Sequence, residues 1–255
     1  MIIKNSVVIV TGGASGLGEA CIRNLAADGA KVAIFDIQNK KGEKLAFEFG
    51  ASAIYVNVDV TSESSVIAGI KKTMEEFGAI HVVINCAGSG TQTKVLTKTG
   101  PHPLDLFNGV VQLNLVGTFN VLRLAVEQMV KNNSNADGEK GIIINTASVA
   151  AFEGQVGQAA YSASKAAVCG MTLPIARECA AYGIRVMTIA PGIFMTPLLC
   201  SLPEKVLDSL GKMVPFPMRM GDPSEFASLA SEIIENRYLN GEVIRLDGAI
   251  RMAAK

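Results

Sequence analysis

Histidine is nearly missing from this chain. Its 255 residues hold two, His81 and His102, and neither lies near a cysteine or a carboxylate at metal-ligand spacing. That scarcity argues against a zinc site and against Ser-His-Asp hydrolysis, and no G-x-S-x-G elbow is present either. The five cysteines (Cys21, Cys86, Cys169, Cys179, Cys200) are odd in number, scattered, and contain no C-x-x-C pair. They read as reduced core thiols rather than a disulfide framework. Charge is sparse as well: 18% of residues are charged, and 23 basic side chains cancel 23 acidic ones. Such a chain sets up no global field to draw in nucleic acid or an anionic membrane. Long apolar runs are also lacking, because Val110–Val130 is broken by Gln112, Asn114, Asn120, Arg123 and Glu127. It falls short of the roughly 18 uninterrupted apolar residues of a membrane span. Between Met1 and the apolar run at Val7 there is no room for a signal or transit peptide, so the cytoplasm is the expected compartment, with the mitochondrial matrix as alternative.

What the chain does have is hydrophobic content, 49%, enough for a sizeable core in a single domain spanning 1–255. Short Val- and Ile-rich runs recur at Val7–Val10, Val32–Phe35, Ala53–Val58, Val82–Ile84, Ile142–Ile144, Val186–Ile189 and Val243–Leu246. Their continuity predicts strands buried on both faces. Between them, helical spacing predicts helices over Leu17–Ala27, Lys41–Phe49, Glu63–Phe77, Leu104–Val130, Gln158–Ala181 and Ser224–Asn236. The βαβα alternation predicts a doubly wound, Rossmann-type parallel sheet with helices on both faces and ligands at the carboxyl ends of its strands. Two irregular stretches are long enough to be functional: an insertion at 89–103, and a loop at 191–217 that holds five prolines. Polar residues are few from Leu113 to Val130 and no charge occurs from Ala166 to Ala176, which predicts a homo-oligomer with the helices Leu104–Val130 and Gln158–Ala181 at the subunit interface.

Two clusters carry chemistry. Directly after the first strand stands Thr11-Gly12-Gly13-Ala14-Ser15-Gly16-Leu17-Gly18, followed by a helix. Glycines there allow a tight turn and close approach to a pyrophosphate, which the helix N-terminus attracts. Asp36 ends the second strand. It either caps the next helix or accepts hydrogen bonds from both adenosine ribose hydroxyls, and in the second case it repels a 2′-phosphate and favours NAD over NADP. The second cluster is Tyr161-Ser162-Ala163-Ser164-Lys165, with Ser148 thirteen residues earlier at a strand end. Tyr161 and Lys165, four apart, share one helical face. An adjacent ammonium favours the tyrosine phenolate, which makes Tyr161 a candidate general base.

In these motifs the chain resembles the short-chain dehydrogenase/reductase family over its full length. The resemblance is carried by Thr11–Gly18, Asp59-Val60, Asn85-Cys86-Ala87-Gly88, Asn114, Ser148, Tyr161–Lys165, and Pro191-Gly192 followed by Thr196-Pro197. More narrowly, Gly141–Lys165, Gly183–Pro191 and Ser201–Arg251 look like the type-2 3-hydroxyacyl-CoA dehydrogenase branch, which overlaps the 17β-hydroxysteroid dehydrogenases. The resemblance implies that Ser148 orients the substrate hydroxyl, Tyr161 takes its proton, Lys165 lowers the tyrosine pKa and holds the nicotinamide ribose, and Asn114 supports a proton-relay water. It further implies cofactor contacts from Gly12, Ser15, Gly16, Leu17, Gly18, Asp36, Asp59, Val60, Asn85, Ala87, Gly88, Pro191, Gly192 and Thr196. The expected reaction is NAD-dependent oxidation of a short-chain L-3-hydroxyacyl-CoA, by a tetramer. Gln155 and Gln158 are candidates for the thioester carbonyl, or else satisfy loop backbone. Leu198, Leu199, Leu202, Val206, Leu210 and Phe216 are candidates to cover the acyl chain. Alternatives are an NADPH-dependent 3-oxoacyl-carrier-protein reductase, which Asp36 disfavours, a hydroxysteroid dehydrogenase, and a scaffold in RNA processing, which the neutral charge does not support.

Overall fold

A computed structural model describes residues 1–90, 92–200 and 203–254, without the side chains of Leu198 and Cys200. In chain order the elements are β1 (Val7–Thr11), α1 (Gly16–Ala27), β2 (Lys31–Asp36), α2 (Asn39–Phe49), β3 (Ala53–Asn57), α3 (Glu63–Phe77) and β4 (Val82–Asn85). A two-stranded hairpin, β5 (Leu96–Thr97) and β6 (Gly100–Pro101), leads to α4 (Leu104–Val111) and α5 (Thr118–Met129). The second half holds β7 (Gly141–Thr146), α6 (Ala159–Ala180), β8 (Ile184–Pro191), α7 (Pro197–Cys200), α8 (Glu204–Lys212), α9 (Pro223–Glu235) and β9 (Val243–Leu246).

The large sheet has the order β3-β2-β1-β4-β7-β8-β9, and every pairing in it is parallel. Strands of this kind need apolar side chains on both faces. Ile9, Val32, Ile34, Val83, Ile143 and Val186 are accordingly buried to the last atom. Each such side chain contributes about 1.5–3 kcal/mol of burial free energy, so the middle of the sheet is the firmest part of the fold. One apolar layer joins the sheet to α1 and α9 through Ile22, Leu25, Phe226 and Ile233. The other joins it to α3, α5 and α6 through Val66, Ile70, Val121, Leu122 and Ile175.

The predicted strands are all present. The predicted helix over Leu104–Val130 differs in one respect: Gln112–Gly117 form a wider π turn between α4 and α5. Thr118 Oγ1 donates to the Asn114 carbonyl at 2.7 Å within that turn, a side-chain bond into the helix ladder of the kind that accompanies such widening. Both irregular stretches hold structure of their own, the hairpin in 89–103 and the two short helices in 191–217.

The chain order reverses between β1 and β4, which opens a crevice at their carboxyl ends. Just there one rung of the sheet turns polar. Thr11, Asn85, Asn145 and Thr188 lie side by side on β1, β4, β7 and β8. Asn85 Nδ2 donates to Asn145 Oδ1 at 3.0 Å, and Thr188 shares a 2.6 Å hydroxyl contact with Thr172 of α6. The candidate site residues lie close to this rung, while along β8 the apolar layer runs on through Ile189 and Ala190.

Candidate active site

The glycine turn after β1 is fixed by contacts no side chain could share. Gly12 has φ +62°, and a β-carbon on it would lie 2.9 Å from the Ala87 backbone, while one on Gly18 would collide with the Gly12 carbonyl oxygen. Only glycine permits this approach of α1 to β1 and to the turn after β4. Ser15 precedes α1 in an extended conformation and its hydroxyl makes no cap bond, which leaves the first N–H groups of the helix without a side-chain cap. That end of a helix carries partial positive charge and suits a phosphate.

Asp36, 6% exposed, closes the far side of the turn. Its carboxylate accepts from Ala14 N at 3.0 Å and from Gln38 N at 2.9 Å, and each oxygen keeps a further lone pair. The helix-capping alternative does not hold, because α2 starts after Gln38 with no side-chain cap bond and on that side Asp36 reaches only the Gln38 N–H ahead of the helix; the carboxylate is oriented by backbone bonds and keeps acceptor capacity. Asp59 and Val60 follow β3. The Asp59 carboxylate folds onto its own turn, accepting from Thr61 N and Oγ1 at 2.9 and 2.7 Å, and Val60 O accepts from Asn120 Nδ2 at 2.9 Å. Ala87 N donates to Thr11 Oγ1 at 3.1 Å, tying Asn85-Cys86-Ala87-Gly88 to the glycine turn.

The second cluster assembles on the other side of the same turn. Lys165 is 5% exposed and donates to Thr146 O at 2.7 Å, with its ammonium 5.8 Å from the Tyr161 ring centre. A β-carbon on Gly88 would sit 2.9 Å from Asn114 Oδ1 and 3.4 Å from Lys165 Nζ, which shows how closely these three residues meet. Asn114, fully buried in the π turn, accepts from Ser89 N at 2.9 Å. It donates to Ser89 O at 2.9 Å and to Ser164 Oγ at 3.0 Å. Ser148 begins a single helical turn after β7, where its hydroxyl accepts from Ala150 N at 3.2 Å.

Burial governs the titration of this cluster. It lowers Lys165 to about 8, because the ammonium loses water and gains only carbonyl partners. Burial also raises Tyr161, while its contact with the Ser148 hydroxyl acts in the opposite direction. In the protein alone, then, the tyrosine is a weaker acid than usual, and the lysine remains mostly an ammonium at neutral pH.

Pro191, Gly192 and Thr196 close the crevice from above. Gly192 N donates to Leu246 O at 2.9 Å, and the Thr196 side chain lies over Gly16. The two glutamines serve loop backbone: Gln158 Oε1 accepts from Gln155 N at 3.0 Å, and Gln155 Nε2 donates to Ala253 O at 3.2 Å. Of the apolar cover, Leu199 and Leu210 are half-buried, Val206 and Phe216 are exposed, and Leu202 and the Leu198 side chain lie outside the described residues. Sequence reasoning assigned no role to Thr146, whose carbonyl holds Lys165, or to Ser164, which holds Asn114. Ser164 stands inside the Tyr161–Lys165 motif, three residues from the tyrosine, and that spacing was the available signal.

Comparison with known proteins agrees with this geometry. The sequence profile described as short chain dehydrogenase matches residues 6–206. The 3-hydroxyacyl-CoA dehydrogenase type-2 of Drosophila melanogaster is 54% identical over 252 residues, covering 98% of this chain and 99% of its own. The protein of the same name from Homo sapiens is also 54% identical, covering 98% and 97%. A crystal structure of 3-hydroxyacyl-CoA dehydrogenase type-2 from Mycobacterium avium superposes with a TM-score of 0.95 at 42% identity, over 98% of each chain. A 3-ketoacyl-(acyl-carrier-protein) reductase from Brucella melitensis complexed with NADH superposes at 0.86 and 27% identity, over 98% of this chain and 100% of that one. With its glycine turn, its parallel sheet and its Ser148, Tyr161 and Lys165 gathered at one crevice, the chain belongs to the short chain dehydrogenase family.

Proposed function

We propose that the protein oxidises short-chain L-3-hydroxyacyl-CoA esters to 3-ketoacyl-CoA esters with NAD as electron acceptor. The reaction type rests on one observation, the meeting of Ser148, Tyr161 and Lys165 beside the glycine turn; the substrate class rests on the names of the relatives. The nicotinamide cofactor of the family fits the residues present. The open N-terminus of α1 with Ser15, Gly16, Leu17 and Gly18 suits its pyrophosphate, and the oriented Asp36 carboxylate suits an unmodified ribose. Asp59, Val60, Asn85, Ala87, Gly88, Pro191, Gly192 and Thr196 would contact the rest of the cofactor, and Lys165 would hold the second ribose. When bound, it supplies the hydride acceptor.

The chain's own residues then handle the proton. Ser148 Oγ holds the substrate hydroxyl, and Tyr161 Oη removes its proton as the carbinol carbon is oxidised. Burial opposes the phenolate, so positive charge must be brought beside it. The Lys165 ammonium, held by Thr146 O, supplies part of that charge. Asn114, locked by Ser89 and Ser164, presents the widened turn to a water that can carry the proton outward. No metal is needed for this step, since orientation and acid–base chemistry suffice.

We further propose that the molecule is a homo-tetramer. Leu104, Leu106, Val116 and Phe119 along α4–α5 and Leu173 on α6 expose apolar side chains that a second copy would cover. The test of function is a panel of secondary alcohols read as NADH formation. 3-Hydroxybutyryl-CoA should be turned over faster than simple alcohols; no NADH from it, where another alcohol gives some, would overturn the substrate assignment.

A further inference from the structure

Four charged side chains outside the crevice form one ion-pair cluster. Arg245 of β9 meets Glu153 with two parallel bonds, Nη1–Oε1 at 2.7 Å and Nη2–Oε2 at 2.9 Å, and turns its Nε to Asp247 at 2.7 Å. Arg251 reaches Asp247 at 3.1 Å and Glu153 at 3.6 Å. The guanidinium of Arg245 also lies 5.0 Å over the Phe152 ring and donates to Ile250 O at 3.2 Å. This is no loose surface pair. The geometry is forked, and the side chains of Asp247, Arg245 and Glu153 are only 8%, 21% and 27% exposed.

Its place in the chain gives it meaning. Glu153 sits in the loop that joins Ser148 to Tyr161, and that loop has two more bonds to the same partner segment: Val156 N to Ala254 O at 3.0 Å and Gln155 Nε2 to Ala253 O at 3.2 Å. On its other side the segment 245–254 holds the opposite wall of the crevice. Leu246 O accepts from Gly192 N at 2.9 Å, and Gly248 O accepts from Phe216 N at 3.3 Å, at the end of the 191–217 loop. A cavity of about 240 Å³, lined by Ile193, Phe194, Val214, Leu246 and Asp247, lies between the 191–217 loop and this segment.

We propose that Glu153 and Arg245 are positioning residues for catalysis. Their pairing fixes the 149–158 loop, and with it the spacing of Ser148 from Tyr161, against the segment that also anchors the substrate-side loop. Neither residue touches the reacting atoms; a shift of about 1 Å between serine and tyrosine is enough to slow the chemistry severely. The inference rests on the function proposed above.

The test uses Glu153→Gln, Arg245→Gln and the double variant in the full chain. Each single change should lower kcat on 3-hydroxybutyryl-CoA by about tenfold while the NAD Kd stays within about twofold, and the double should be no slower than the worse single, since the pair acts as one unit. Unchanged kcat with a lowered Tm would reduce the pair to a structural role and overturn the proposal, as would losses that multiply in the double. Arg245→Lys, which keeps the charge and loses the fork, covers the case in which the glutamine variants do not fold; its kcat should fall about threefold, and a wild-type kcat would overturn the proposal. If the wild-type protein itself fails to oxidise the thioester, the proposed function falls. The pairing is then judged by amide hydrogen exchange in Glu153→Gln: faster exchange over 149–158 with none over 7–36 supports it, and unchanged exchange over 149–158 overturns it.

Discussion

Around Thr11, Asp36 and Asn85 the crevice wall is buried, and it is tied together by bonds to the backbone of the adjoining turns and by the Asn85–Asn145 side-chain pair. Across from it, the insertion and the 191–217 loop present Val95 and Leu96 at 73% exposure and Phe216 at 81%. The first wall is complete before anything binds. The second lacks a partner for its apolar side chains, and an acyl chain would supply one at about 25 cal/mol per Å² covered. The contrast assigns chemistry and cofactor to the rigid wall and substrate choice to the exposed one. It also says where substitutions should act on kcat and where on KM.

The largest effect belongs to the rigid wall. Tyr161→Phe keeps the ring and removes the one oxygen able to take the proton. We expect kcat to fall at least about 10²-fold, or about 2.7 kcal/mol, with NAD affinity retained. Steady-state rates beside a cofactor titration check this, and a Phe variant with near wild-type turnover would contradict the assignment of the base.

Lys165 gives a test through stability. Its folded-state pKa, about 8, lies below the ordinary lysine value of 10.5, so between these values the unfolded chain binds more protons than the folded one. The folded state therefore gains on the unfolded as pH rises through that window, by up to about 3 kcal/mol in the limit of full burial. Lys165→Met removes this linkage. Urea unfolding at pH 7 and 9.5 should show wild type gaining on the variant at the higher pH, and parallel pH profiles would mean that the ammonium is better solvated than its 5% exposure implies.

Asp36 tests the same wall more gently. A carboxylate already oriented by Ala14 N and Gln38 N should disfavour a 2′-phosphate by more than tenfold in kcat/KM, about 1.4 kcal/mol. Equal kcat/KM for NAD and NADP would remove Asp36 as the selector, and Asp36→Ala with an arginine placed beside it should move the preference toward NADP.

The two walls also differed in how far the sequence could be read. Continuous Val and Ile runs at Val7, Val82 and Ile142 locate the central strands because a doubly covered parallel strand tolerates little else, whereas the strand order is seen only in the folded sheet. Gly12, Asp36, Tyr161 and Lys165 were legible because each belongs to a local motif whose spacing maps onto one turn or one helix face. The bonds that hold those residues were not. Thr146 meets Lys165 through its carbonyl, which any residue could provide, and Arg245 lies 92 residues from Glu153, beyond the reach of periodicity. The π turn at Asn114 leaves the helical pattern of Leu104–Val130 nearly intact, so only coordinates reveal it. For Gln155 and Gln158 the sequence leaves a thioester contact and a backbone role equally open, and in the structure one polar atom of each amide bonds backbone.

The smallest expected effect belongs to the exposed wall. Lys94 and Lys98 of the insertion and Lys205 and Lys212 of α8 are all exposed, and they are the lysines we expect to meet the phosphates of a CoA ester. Charges so well hydrated attract weakly, and salt screens them as the Debye length falls from about 10 Å at 0.1 M to about 3 Å at 1 M. Over that range the KM for 3-hydroxybutyryl-CoA should rise roughly two- to fivefold, while the KM for an uncharged secondary alcohol hardly moves. Replacing Lys94 and Lys98 by Gln should flatten the salt response without changing kcat, because both side chains are exposed and act only through screened charge. A thioester KM indifferent to salt would instead place substrate choice wholly in the apolar cover, with Phe216→Ala the change that then raises KM.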